Sequence, residues 1–287
     1  MSNKNGVKIG TKILSRCVMG VAAAAFFSTS GFSATLQELR AQLPERILKD
    51  GLTVAFEQYI PDNYLDPDGK PSGWAIEILS EAAKTLDMPI RFIQVAQFQS
   101  LLPGIDAERY DLAVSGFAVT EERKQRYDFV SYFNAGNSII IHKDHAEVQP
   151  DDMCGLKASI AVGSYFNKVV DKYSEKCVAD GKPKIEVMTF PSGDAMYGAL
   201  SSKRADFTVG SLSSSAYIAS RSEGQFLVSG SPFFRTISGF VFNKKNTQAR
   251  DAVAAGVQEL VNNGKYAEIL SRWNLSGGAL TKVEINP

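Results

Sequence analysis

The chain has 287 residues, with 31 Lys and Arg against 31 Asp and Glu, three cysteines and two histidines. A balanced charge provides no broad cationic surface, which excludes nucleic acid and anionic membrane as expected partners. The length suffices for one large domain or two lobes of ordinary size, each with a core of its own.

The first segment carries Lys4, Lys8, Lys12 and Arg16 without an acid, then an apolar run over 18–27, then small residues over 28–34. This is the three-part pattern of a secretory signal peptide, and its apolar run is too short to span a bilayer. We expect residues 1–34 to be a leader, cleaved after Ser33 or Ala34, and the product to be exported to the periplasm. Cys17 precedes the apolar run and is not placed for lipid attachment. Loss of the four cations would leave a net charge of about −4 on about 253 residues. No later segment approaches the roughly 18 continuous apolar residues of a membrane helix.

Residues 52–56 read as a strand, 66–69 (Asp-Pro-Asp-Gly) as a turn, 76–86 as a helix, 90–95 as a strand and 98–105 as helical. The Asp-x-Asp-Gly turn lacks the spacing and downstream acid of a calcium loop, so it reads as a hairpin. Residues 111–115 form the next strand and 137–142 another. The pattern then restarts, with strands at 158–162, 185–190 and 205–209 and helices at 164–179, 192–200 and 211–220. A short strand at 240–242 precedes an amphipathic helical region at 249–273, broken near Asn262, Asn263 and Gly264. Strands alternating with helices predict an α/β chain whose sheets are mainly parallel, built from right-handed crossovers. His142 and His145 stand in a connection with no acid or cysteine to complete a metal site, so neither a metal nor a cofactor is expected.

Only Cys154 and Cys177 lie beyond the leader, 23 residues apart. In an exported chain such a pair is expected to be bonded, and closing a loop of that length contributes about 3.4 kcal/mol in the chain-entropy model. A redox pair would more often be spaced C-x-x-C.

The segment LLPGIDAERYDLAVSGFAVTEERKQRYDFV holds the most informative residue. Thr120 followed by Glu121 and Glu122 predicts a helix N-cap, which puts Arg123 in the first helical turn. A cation is disfavoured there by about 0.3–1 kcal/mol unless an anion offsets it. Arg123 could simply pair with Glu121, Glu122 or Asp128 on a solvated face. Alternatively, the strand end, the close backbone approach at Gly116, free helix N–H groups and a guanidinium fork together make a carboxylate receptor.

The segment resembles the signature of the family 3 bacterial solute-binding proteins, periplasmic receptors that deliver amino acids and related solutes to ABC transporters. The matching residues are Tyr110, Asp111, Ser115, Gly116, Thr120, Arg123, Asp128 and Phe129. The resemblance extends through GKPSGWAIEILSEAAKTL, KASIAVGSYF, KRADFTVGS and VQELVNNGKYAEILSRWNL, nearly the whole chain after the leader. It implies a two-lobed type II periplasmic-binding-protein fold, with lobe one at 35–135 plus 237–287 and lobe two at 136–236. The ligand, an amino acid or related carboxylate, would lie in the cleft between the lobes, in keeping with ligand placement beyond the carboxyl ends of strands in open α/β sheets. The protein would be a monomer, and its partners would be that ligand and ABC-transporter membrane subunits.

Carried over residue by residue, the resemblance gives Arg123 the ligand carboxylate and Phe98 an aromatic wall. Glu57 falls where some members read the ligand side chain, and Ser115 and Gly116 form the strand-end turn. Gly163 and Ser164 form the lobe-two turn that also donates to the carboxylate. There are three departures. Ala118 lacks a hydroxyl common in the family, Tyr165 replaces a small hydroxyl residue, and Ser211 stands where an aspartate commonly pairs with the ligand ammonium. A hydroxyl contributes about 1 kcal/mol where a carboxylate contributes about 1.5–3, so a ligand without a standard α-amino group is predicted. Two rivals share the fold: a cleft enzyme of the dehydratase type, for which Glu57 is the one acid the sequence places in the cleft, and an extracytoplasmic sensor or accessory protein.

Overall fold

A computed structural model of the protein describes residues 35–161, 165–191 and 193–287. The predicted leader, and Gly163 and Ser164 of the predicted ligand contacts, lie outside the described residues.

The order is α1 (Leu36–Ala41), α2 (Glu45–Asp50), β1 (Leu52–Phe56), β2 (Tyr64–Leu65), β3 (Pro71–Ser72), α3 (Trp74–Thr85), β4 (Ile90–Gln94), α4 (Leu101–Asp106), β5 (Leu112–Val114), α5 (Glu121–Lys124) and β6 (Tyr127–His142). There follow β7 (Lys157–Ala161), α6 (Tyr165–Ala179), β8 (Glu186–Phe190), α7 (Gly193–Ser201), β9 (Phe207–Ser211), α8 (Leu212–Arg221), β10 (Phe226–Asn243), α9 (Thr247–Asn262) and α10 (Lys265–Arg272). α1 begins at a reciprocal cap between Thr35 and Glu38. Asp66 accepts from the backbone N–H of Asp68 at 2.9 Å and of Lys70 at 2.8 Å, which makes the turn between β2 and β3 a hairpin.

The main sheet runs β4-β1-β5-β10-β6-β9-β7-β8. β1 is parallel to β4 and β5 at one end, and β7 is parallel to β8 and β9 at the other, as the alternating pattern predicts. The two parallel sets are joined by β6 and β10, an antiparallel pair of 16 and 18 residues. Sequence pattern located only 137–142 and 240–242 of these strands. Their register shifts between Ser229 and Phe233, between Phe233 and Thr236, and between Ser238 and Gly239, so alternation is broken along β10. The rest of β6 is too uniformly buried to alternate.

One core packs α3 and α9 against β1, β5 and the near half of β6 and β10, with Trp74, Tyr132, Phe240 and Tyr266 almost fully buried. A second core packs Ile139, Ile160, Val170 and Phe207 around the Cys154–Cys177 disulfide. The cysteine Cα atoms are 5.6 Å apart, and Cys177 has no exposed surface. Leu212 and Ala216 of α8 belong to the first core although they follow β9, so α8 is shared between the two ends of the sheet.

Candidate functional site

Three chain segments meet near the middle of the sheet. The first is the loop after β1, which carries Glu57, Tyr59 and Asp62. It is pinned by Tyr59 N–H to Asn63 O (2.7 Å), Asn63 Nδ2 to Glu57 O (2.6 Å) and Ala75 N–H to Asp62 O (3.0 Å). Gly73, at φ +112°, lets this loop lie on the start of α3; a Cβ there would sit 2.4 Å from Asp62 O. The second segment is the turn after β5, tied to β10 by Val119 N–H to Ile237 O (2.8 Å) and Gly239 N–H to Phe117 O (3.0 Å). The third is the end of β9, where Ser211 caps α8 by accepting from Ser214 N–H at 3.2 Å.

Thr120 is the N-cap of α5, its hydroxyl accepting from Arg123 N–H at 3.3 Å; α5 is a single turn of four residues, so Arg123 belongs to its last turn as much as to its first. Its Nη1 donates to Ala118 O at 2.9 Å, and its guanidinium carbon lies 5.6 Å from the Phe117 ring centroid. Phe98 packs on the same Phe117 ring, with centroids 4.8 Å apart. Among the described residues, no carboxylate pairs with Arg123. Glu121 pairs with Lys124 at 2.7 Å, and Asp128 pairs with Arg250.

A cavity of about 60 Å³ lies between the three segments, lined by Tyr59, Asp62, Gly116, Ser211, Ser213 and Ser238 among others. Gly116 and Ser211 were expected there. Glu57, Phe98, Ser115 and Arg123 are not among its lining residues. Ser115 instead donates its hydroxyl to Glu57 Oε1 at 3.0 Å, and Glu57 faces a separate surface recess with Gln58 and Gln94. Tyr59 donates across the cavity to Ser211 Oγ at 3.3 Å.

Asp62 is 4% exposed. Trp74 Nε1 donates to its Oδ1 at 2.9 Å, and its Oδ2 points toward Gly116. Burial pushes its carboxyl up to about 6, while the Ser213 hydroxyl and the Trp74 indole favour the charged form and hold it back. Burial, and then the charge of Asp62, raise the Tyr59 phenol as well. Sequence reading did not single out Tyr59, Asp62 or Ser213. An acid after proline in a polar loop reads as a turn residue, and only its return onto the Trp74 indole makes it part of a site.

The sequence profile of the bacterial extracellular solute-binding proteins, family 3, matches residues 52–276. The chain belongs to this family. Among its relatives, the arginine-binding protein ArgT of Corynebacterium glutamicum is 28% identical over 253 residues, covering 87% of this chain and 83% of that one. The L-cystine-binding protein TcyJ of Escherichia coli is 24% identical over 260 residues, covering 89% and 92%. Of solved structures, an ancestral cationic amino acid solute-binding protein superposes with TM-score 0.65 at 25% identity, covering 79% of this chain and 97% of that one. The unliganded, open L-cystine solute receptor of Neisseria gonorrhoeae, at 23% identity and TM-score 0.67 over 82% and 98%, shares the fold. The fold is that of the type II periplasmic binding proteins, with the long antiparallel pair β6 and β10 at the centre of the sheet.

Proposed function

We propose that this protein captures a small carboxylate-bearing solute, an amino acid or a derivative, between two closing lobes in the periplasm and delivers it to the membrane subunits of an ABC importer. The observation that carries the reading is Arg123, a half-buried arginine in the single turn of α5, held by Ala118 O and the Phe117 ring, with no carboxylate partner among the described residues. A ligand carboxylate supplies the missing anion. Lobe one would comprise 35–135 plus 237–287 and lobe two 136–236, with Gly116 lining the lobe-one wall, Ser115 holding Glu57 behind it, and Gly163, Ser164 and Ser211 contributed by lobe two. The names of relatives that bind arginine and cystine support an amino-acid ligand. A ligand closes the lobes only through its higher affinity for the closed state, and micromolar binding, about −8 kcal/mol, leaves enough to shift a modest open bias.

The test is a thermal-shift screen of the exported protein against the twenty amino acids and their deaminated and N-substituted counterparts. One of these should raise the unfolding temperature in proportion to the logarithm of its concentration. No shift from any carboxylate would overturn the reading. A cleft dehydratase is the second reading, favoured by Asp62 as a buried acid facing the cavity. It requires that a carboxylated ring alcohol incubated with the protein lose one water, which mass spectrometry of the small molecule detects.

A further inference from the structure

A cavity of about 510 Å³ opens at the amino ends of the parallel strands β1, β4 and β5. Glu57 and Gly116 follow the carboxyl ends of β1 and β5, so this cavity lies at the opposite end of the strands from the site described above. Its size is that of a small-molecule pocket. Arg46, Arg91, Arg109 and Lys245 line it against two acids, Glu108 and Asp111, an excess of two positive charges. Both acids are already taken. Asp111 pairs with Arg46 and accepts from Thr53 N–H at 2.8 Å, and Glu108 lies 3.5 Å from Lys245 Nζ. Arg91 and Arg109 pair with no carboxylate among the described residues.

Water alone satisfies an isolated surface arginine, but these two share one concave wall with a buried hydroxyl. Thr53 is 4% exposed and stands beside Arg91 in the register of β1 and β4, and its Oγ accepts from Arg91 Nη2 at 3.4 Å. The hydroxyl hydrogen has no acceptor among the described residues, which leaves it for an oxygen in the cavity. Asn246 and Gln248 add the start of the 16-residue helix α9, which has no acid in its first turn and no side-chain cap at Asn246. The positive end of that helix reinforces the arginines, which carry the charge of the site. Guanidinium forks and a hydroxyl match an anion that bears two charges on several oxygens, as a phosphoryl group does compactly.

We propose that this cavity is a second binding site, for phosphate or a small phosphate monoester, in which Arg91 and Arg109 take the two charges and the Thr53 hydroxyl donates to a third oxygen. The carboxylate reading of Arg123 is independent of it, since neither Arg91 nor Arg109 belongs to the solute cleft, and either result below leaves that reading untouched.

The test is calorimetric titration of the exported protein with inorganic phosphate and with glycerol 3-phosphate at about pH 8, where both are dianions, and about 0.15 M ionic strength. At least one of them should half-saturate wild type at about 1 mM or below, as two charge-assisted contacts allow. Saturation by inorganic phosphate assigns the free anion, and by glycerol 3-phosphate alone the monoester. Arg91→Gln and Arg109→Gln should each weaken that binding about tenfold. Both side chains are exposed and neither holds an ion pair among the described residues, so the variants should fold as wild type does. Lys168→Gln, which removes an exposed charge of α6 outside the cavity, should leave phosphate binding unchanged. Acetate, a single charge, should bind at least about tenfold more weakly. Saturation by both phosphates only above about 10 mM, wild-type affinity in either cavity variant, or acetate binding as tightly as phosphate overturns the inference.

Discussion

Arg250 of α9, not Arg123, holds the buried carboxylate of Asp128, which also accepts from Asn286 Nδ2 at 2.9 Å. The two arginines therefore have separable roles. Arg250→Ala leaves Asp128 buried beside one amide, a loss of about 3 kcal/mol and roughly 10 °C in unfolding temperature. Ligand affinity should not change. Denaturant melts paired with calorimetry check both halves; a variant as stable as wild type would make the Arg250 pair a surface contact.

Tyr59 and Ser211 are joined across the cavity by a single neutral hydrogen bond of 3.3 Å. Tyr59→Phe keeps the ring and removes about 1 kcal/mol of closure, a loss of roughly fivefold in affinity carried mainly by faster release. Stopped-flow release rates read this directly. Equal rates in variant and wild type would show that the contact forms no part of the closed state.

Burial raises the carboxyl of Asp62 in the folded protein. Its folded value of about 6 lies above the ordinary aspartate value, so the folded protein binds more protons than the unfolded chain between about pH 4 and 6. Its contribution to stability is present below about pH 4 and is lost as pH rises through about 6, by about 3 kcal/mol. Ligand-free Asp62→Asn should gain on wild type by that amount between pH 4 and 7. Parallel pH–stability curves for the two proteins would contradict the assignment.

Cys154–Cys177 closes a loop around β7 and most of α6, with Cys177 fully buried. Reduction should cost about 3 kcal/mol, and native protein should show no free thiol at either residue. Thiol titration before and after reduction, beside urea melts, tests both statements; two reactive thiols in native protein would remove the bond.

The short elements were legible because each carries its own signal: Thr120 with two acids for α5, Gly264 at φ +82° between α9 and α10, and the Asp66 turn between β2 and β3. β6 and β10 were legible only in part. Strands buried on both faces and interrupted by register shifts give no alternation to read. The site divides in the same way. Arg123 stood out because Thr120 and the two acids after it predict a helix start, where a cation is disfavoured, and that signal is local although α5 runs for only one turn. Asp62 became visible only through contacts with Trp74 and Gly116, 12 and 54 residues away in the chain, which no local pattern encodes.

The central claim is that Arg123 binds the carboxylate of the solute. Calorimetry of wild type, Arg123→Ala and Arg123→Lys, using the compound that most stabilises wild type in the screen, tests it most directly. Arg123→Ala should weaken binding by about 3 kcal/mol, roughly a hundredfold, while the ligand-free protein loses only about 1 kcal/mol of stability with the Ala118 hydrogen bond. Arg123→Lys should recover little, since an ammonium cannot replace the planar fork. Affinity in Arg123→Ala within twofold of wild type would make the arginine a surface residue and contradict the account.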